Sequence, residues 1–187
     1  FNGITVNTPS ISAIIAIVLA GVLLLASGFA SASEIAFFSL TPSDRNDIDE
    51  QNHPSDEKIS ALLGDSERLL ATILITNNFV NVTIIMLCNF FFMNVFVFHS
   101  PLAEFLILTV ILTFLLLLFG EIMPKIYSAQ KTLAFCRFSA PGIYFLEKLF
   151  RPIATVLVRS TTFLNKHFVK KSHNISVDEL SHALELT

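Results

Sequence analysis

Three stretches of this chain are apolar for long enough to cross a bilayer. Residues 11–33 carry no charge over 23 positions, and residues 69–98 carry none over 30. The third, 105–120, is shorter and reaches crossing length once 102–104 and 121–123 are added. About 20 apolar residues in a helix cover roughly 30 Å of hydrocarbon. The pattern therefore predicts transmembrane helices at about 11–33, 69–98 and 102–123. The first is a poor secretory signal, because it lacks a basic leader and runs straight into Glu34.

The connecting segments read differently. In 41–68, Thr41-Pro42-Ser43-Asp44 is a helix start and Asn52-His53-Pro54 a break. A second start follows at Ser55-Asp56-Glu57-Lys58 and a stop at Gly64-Asp65-Ser66. Two short helices within about 42–66 are expected, with a solvated loop as the alternative. Segment 126–168 mixes frequent apolar residues with a basic one every few positions. It predicts amphipathic helices along the membrane interface, interrupted at Pro141-Gly142 and Arg151-Pro152. A fourth span is the competing reading. Ser176 and Glu179 form a capping box, so a fresh helix is expected from about Val177. On this map 1–168 is a membrane domain, and 169–187 is a linker plus the start of a truncated cytosolic region.

Composition agrees with the class. Hydrophobic residues make up 53% of the 187 and charged ones 14%, against about 25% charged in soluble domains. Disorder, nucleic-acid binding and a disulfide-framed secreted module are excluded. The expected fold is all-α integral membrane: three transmembrane helices plus cytoplasmic juxtamembrane helices. The 12 basic residues fix an orientation. None precedes Arg45, three lie at 45–68, none at 69–124, and nine from Lys125 onward. The positive-inside rule then places the N-terminus outside and the C-terminus in the cytoplasm. Cys88 and Cys136 are poor disulfide candidates, and the five His show no metal-ligand spacing.

Polar residues at membrane depth are costly and mark function. Ser27, Ser31 and Glu34 fall within about 60° on one helix face; a small-residue packing face around Gly21 and Gly28 is the plainer reading. Asn77 and Asn81 share a face of the second span, beside Asn78, with interhelical hydrogen bonding as the alternative. In Gly120-Glu121-Ile122-Met123-Pro124-Lys125, Pro124 lacks the N–H that an α-helix would direct at the Gly120 carbonyl. A freed carbonyl beside Glu121 suits a cation, whereas an interfacial Glu121–Lys125 pair is the simpler account. Together these groups offer hydroxyl, amide, carbonyl and carboxylate oxygens. Such a set selects hard cations: Mg²⁺, Ca²⁺ or Na⁺. All three clusters lie towards the cytoplasmic ends of their spans.

Ser27-Gly28-Phe29-Ala30-Ser31-Ala32-Ser33-Glu34, Ile75-Thr76-Asn77-Asn78-Phe79-Val80-Asn81 and Phe119-Gly120-Glu121-Ile122-Met123-Pro124-Lys125 resemble the three signatures of the CNNM/CorC family of magnesium transporters. Three motifs in order are far more specific than one. The stretch from Ser176 resembles the start of that family's cytosolic region, and also a branch associated with gliding motility. The resemblance implies a homodimer in the bacterial inner membrane, Mg²⁺ between the spans and movement coupled to Na⁺. It implies Ser27, Ser31, Asn77, the Gly120 carbonyl and Glu121 as metal ligands. Asn81 would be a further ligand or support, Glu34 a coupling residue, and Asn78, Pro124 and Lys125 supporting positions. An ATP-binding pair of CBS modules would follow this segment in the full-length chain. Na⁺-coupled Mg²⁺ export is the expected function. A non-transporting Mg²⁺ sensor or assembly scaffold is the alternative. An enzyme is not expected, because no span contains a His to complete a hydrolytic set.

Overall fold

The computed structural model describes residues 4–98 and 101–185, with side chains placed for 7–96 and for most of 102–160. Three helices are long and apolar enough to cross a membrane: Ile11–Phe38, Ser66–Val95 and Glu104–Gln130. The chain is a multi-pass membrane protein, and all but two short strands of its regular structure is helical.

Helix α1 (Ile11–Phe38) starts where the Ser10 hydroxyl accepts from the Ala13 N–H. After it come α2 (Pro42–Asp49) and α3 (Asp56–Leu63). Thr41 caps α2 through a reciprocal pair, its hydroxyl accepting from Asp44 N–H while the Asp44 carboxylate accepts from Thr41 N–H. The turn between α2 and α3 passes through Gln51 at φ 53°, a left-handed conformation.

Helix α4 (Ser66–Val95) begins and ends about three residues earlier than the hydropathy of 69–98 suggests. Phe96–Phe98 instead forms strand β2, paired antiparallel with β1 (Ile4–Val6) in the register Ile4 to Phe98. Aromatic residues in extended chain satisfy their backbone by pairing, and hydropathy alone cannot distinguish that from one more helical turn. Helix α5 (Pro101–Leu115) then leads into a π-helical segment (Leu116–Ile122) and α6 (Met123–Gln130).

Two sequence expectations are corrected beyond this point. Helix α7 runs unbroken from Thr132 to Glu185, with Pro141 and Pro152 inside it. Each proline removes one backbone bond, yet neither stops the helix. Gly142, next to Pro141, lets α7 lie against the Phe29 ring: a Cβ there would stand 3.0 Å from Phe29 Cζ. The fresh helix start expected at Val177 is also replaced by a continuation of α7. No Gly or Pro follows Pro152, so nothing obliges the helix to stop before Ser176. The side chains of the Ser176–Glu179 capping box lie outside the described residues.

Among the described residues there are two apolar cores. One, at the end holding α2, α3 and α7, joins Phe37, Ile48, Ile59, Leu62, Leu69, Ile73, Cys136 and Ile143. The other lies between the spans and joins Ala20, Val80, Ile84, Cys88, Leu112 and Leu116. The first end carries the described basic residues and is called the basic end below; the paired strands mark the other end.

Candidate ion site

Ser27, Ser31 and Ser33 are all fully buried on α1, and they have three different fates. Ser33 donates to the Phe29 carbonyl of its own helix at 2.7 Å. Ser27 faces α4, where its Oγ lies 2.8 Å from Asn77 Oδ1 and 2.7 Å from Asn81 Oδ1. The Ser31 hydroxyl has no hydrogen-bond partner among the described residues.

The Ser27 contacts cannot all be ordinary hydrogen bonds. A hydroxyl has one proton and can donate to one acceptor at a time. Two amide oxygens and a hydroxyl oxygen therefore converge with a single proton between them. Either one amide presents its NH₂ instead, or a cation stands where the oxygens meet. With Ser31 one turn away and without a hydrogen-bond partner among the described residues, the oxygens that converge at this point exceed the protons pointed at them. Such a set favours a hard cation.

The third span closes on this cluster through glycines. A Cβ on Gly120 would lie 3.2 Å from Ser27 Oγ, and one on Gly28 3.0 Å from Pro124 Cγ. Both glycines are buried where α1 crosses the π-helical segment and α6. The π register also bears on the proline. Met123 N–H donates to the Leu118 carbonyl, five residues back. Continued by one residue, that register sets Pro124 against the Phe119 carbonyl, which faces Gly28 at 3.4 Å from the would-be Cβ. Pro124 thus stands where the π register, which sets it against Phe119, passes into the α-helix, which sets it against Gly120. A π segment is a known way to accommodate a backbone clash and recurs at functional sites.

The remaining motif residues separate. Glu121 follows Gly120 in the π-helical segment, half-buried, with no hydrogen bond or ion pair among the described residues. Lys125 does not pair with Glu121: its Nζ lies 2.9 Å from Glu34 Oε2, tying α1 to α6, with both side chains 34% exposed. Asn78 turns away from the cluster, exposed, and donates to the Leu74 carbonyl of its own helix. The support expected of Asn78 is therefore not direct. Asn89 and Asn94 are likewise not part of this layer, and Asn94 donates to Phe90 O.

Sequence reasoning missed two polar links that hold the layer in place. Ser128 of α6 is fully buried and donates to the Ala32 carbonyl at 2.7 Å. Below it, Arg137 of α7 grips the fully buried Asp56, Nε to Oδ1 at 2.8 Å and a terminal nitrogen to Oδ2 at 3.0 Å. Asp56 also accepts from the His53 N–H. Burial works to raise the Asp56 carboxyl, but the Arg137 guanidinium and the His53 N–H outweigh it and hold it below its usual 3.8. Neither link has a sequence signature, because the partners stand 96 and 81 residues apart.

A family model for the cyclin M transmembrane N-terminal domain matches residues 18–187. A UPF0053 protein of Haemophilus influenzae is 31% identical over 134 residues, 72% of this chain and 31% of that protein. A UPF0053 protein of Synechocystis is 26% identical over 140 residues, 75% of this chain and 39% of that one. The chain therefore spans about a third of the length of the curated relatives it matches.

Proposed function

The chain belongs to the CNNM transmembrane family, and on that premise we propose that it binds and moves Mg²⁺ across the bacterial inner membrane. The observation that carries this reading is the meeting of Ser27 Oγ, Asn77 Oδ1 and Asn81 Oδ1 within 2.8 Å, with one proton to share. Ser31, Glu121 and the carbonyls of the π-helical segment would complete the oxygen shell. Mg²⁺ sheds water reluctantly, so a site combining one carboxylate with neutral oxygens would let the ion keep part of its hydration and still leave.

In this reading the basic end faces the cytoplasm, as the distribution of Lys and Arg implies, and the ion is exported against Na⁺ entering. Glu34, held to Lys125, would sense movement of α6 relative to α1. The working unit would be a homodimer, with cytosolic CBS modules following this segment and binding ATP. The test is Mg²⁺ efflux from proteoliposomes of the full-length protein under an imposed Na⁺ gradient. Efflux should depend on the gradient and fall at least tenfold in Glu121→Ala and in Asn77→Ala, about 1.4 kcal/mol or more of lost binding. Undiminished efflux in both variants would refute the site. Mg²⁺ binding without any efflux would favour the sensor or scaffold reading instead.

A further inference from the structure

A second group of polar side chains lies in the opposite half of the bundle. A cavity of about 340 Å³ opens between α4 and α5 near the paired strands. Asn89 of α4 and Glu104, Thr109 and Thr113 of α5 line it. None of the four has a hydrogen-bond or ion-pair partner among the described residues. That is unusual for this protein. Thr76 and Thr83 both donate to the carbonyl four residues back, and Asn78 and Asn94 do the same. At membrane depth, polar groups left unpaired against hydrocarbon cost several kcal/mol. Four of them share one cavity, with Asn89, Thr109 and Thr113 exposed and Glu104 half-buried, and water there would answer all four.

The cavity has a direction. Glu104 is in the first turn of α5, and Thr113 lies nine residues on, about 13 Å deeper at helical rise. Leu112 is part of the cavity wall. Ile84 of α4 and Leu116, where α5 passes into the π-helical segment, lie deeper than the lining residues of α4 and α5, both buried in the apolar core between the spans. Beyond these two come Asn81, Ser27 and Gly120. The order along the bundle is thus carboxylate, hydroxyls and amide, apolar seal, ion cluster.

We propose that this cavity is the outer vestibule of the ion path, a water-filled funnel whose mouth carboxylate, Glu104, concentrates cations, closed from the ion cluster by the buried Ile84 and Leu116. Its ligand class is the hydrated cation, Mg²⁺ or Na⁺. It rests on the transport reading for its purpose, and on the positive-inside orientation for its side.

The test reads the vestibule without reading transport. In full-length protein freed of native cysteines, Thr109→Cys and Thr113→Cys each place a thiol on the cavity wall. Intact cells are treated from outside with membrane-impermeant methanethiosulfonates, one cationic and one anionic. Both thiols should react, the cationic reagent about tenfold faster, as a focusing carboxylate predicts. Adding Glu104→Gln should bring the two rates together. Denatured samples confirm that each thiol is present. Folded protein that stays unlabelled overturns the proposal, as it would if lipid or a second copy of the chain filled the groove. So does labelling only from the cytoplasmic face, or equal rates for the two reagents. Because no flux is measured, a failed vestibule and a failed transport assignment give separate results.

Discussion

At the basic end a carboxylate is wholly buried and wholly answered. Asp56 takes two bonds from Arg137 and one from His53, and no oxygen is left waiting. Higher in the bundle, Ser27 is buried and Asn77 and Asn81 half-buried, yet both amide oxygens turn to one hydroxyl proton, and Ser31 has no hydrogen-bond partner among the described residues. The first cluster joins α3 to α7 and is electrically complete. The second joins α1 to α4 and, with both amide oxygens facing Ser27, leaves one of them without a proton. Buried polar groups that satisfy one another hold a structure; buried groups that do not are places for a ligand. Variants in the two regions should therefore fail in different ways.

The largest effect is expected in the complete cluster. Arg137→Ala leaves a buried carboxylate with only the His53 N–H. Losing one partner of a buried pair costs 3–5 kcal/mol; about 3 is expected, because Arg137 is 23% exposed. Melting of the detergent-purified protein measures it. The double variant Asp56→Asn with Arg137→Met should recover much of the loss, since no lone charge remains. A single variant that melts with wild type would show that the clasp does not secure α7.

Next comes the crossing that brings the third span to the ion cluster. Gly28→Ala puts a Cβ 3.0 Å from Pro124 Cγ, and overpacking of that kind costs about 1–3 kcal/mol. Gly21→Ala is the control, on the same helix but with nothing within 4 Å of its Cβ; it should be neutral or slightly stabilising. Equal melting of the two variants would mean that close contact with Pro124 is unimportant.

The incomplete cluster should respond more to ion than to truncation. Ser27→Ala removes one crowded hydroxyl and should change apo stability by under about 1 kcal/mol. Wild type in Mg²⁺ at ten times its Kd should gain about 1.4 kcal/mol by mass action, and Ser27→Ala should lose that gain. A variant still protected by Mg²⁺ would place the ion elsewhere.

How much of this was legible in the sequence differs between the two regions. Ser27, Asn77 and Gly120 belong to motifs, and motif residues meet because each span carries its own at the same depth; hydropathy sets that depth. The Asp56–Arg137 clasp depends on where α7 lies against α3, which no local pattern encodes. Pro141 and Pro152 read as breaks, since the cost of proline to a helix is local; the packing of α7 on Phe29 beside Pro141 is tertiary and has no local signal. Phe96–Phe98 read as helix for a similar reason, because its strand partner lies some 90 residues away at Ile4–Val6. The π-helical segment had only a proline signal, Pro124, and a proline does not by itself announce a π register.

The smallest effect is the most discriminating, because it reverses sign. In wild type the folded Asp56 carboxyl titrates below its usual 3.8. A lowered folded value means the stabilisation is complete above the unfolded value and is lost as pH falls through the folded one. Wild-type melting should thus be flat from pH 7 to about 5 and decline only below about 4 as far as this group decides it. In Arg137→Ala the guanidinium is gone and burial, the largest influence, is opposed only by His53, so the carboxyl is expected above its unfolded value. A raised folded value reverses the slope: stability is then greatest where Asp56 is protonated and falls as pH rises through the folded value. Between pH 7 and 5 the gap between wild type and variant should narrow. The ion cluster contributes no such slope from Ser27, Asn77 or Asn81, none of which titrates. Equal narrowing in Ser27→Ala would mean that the acid response belongs to neither cluster. No narrowing in Arg137→Ala would mean that water, reaching Asp56 once the guanidinium is removed, leaves the carboxylate solvated.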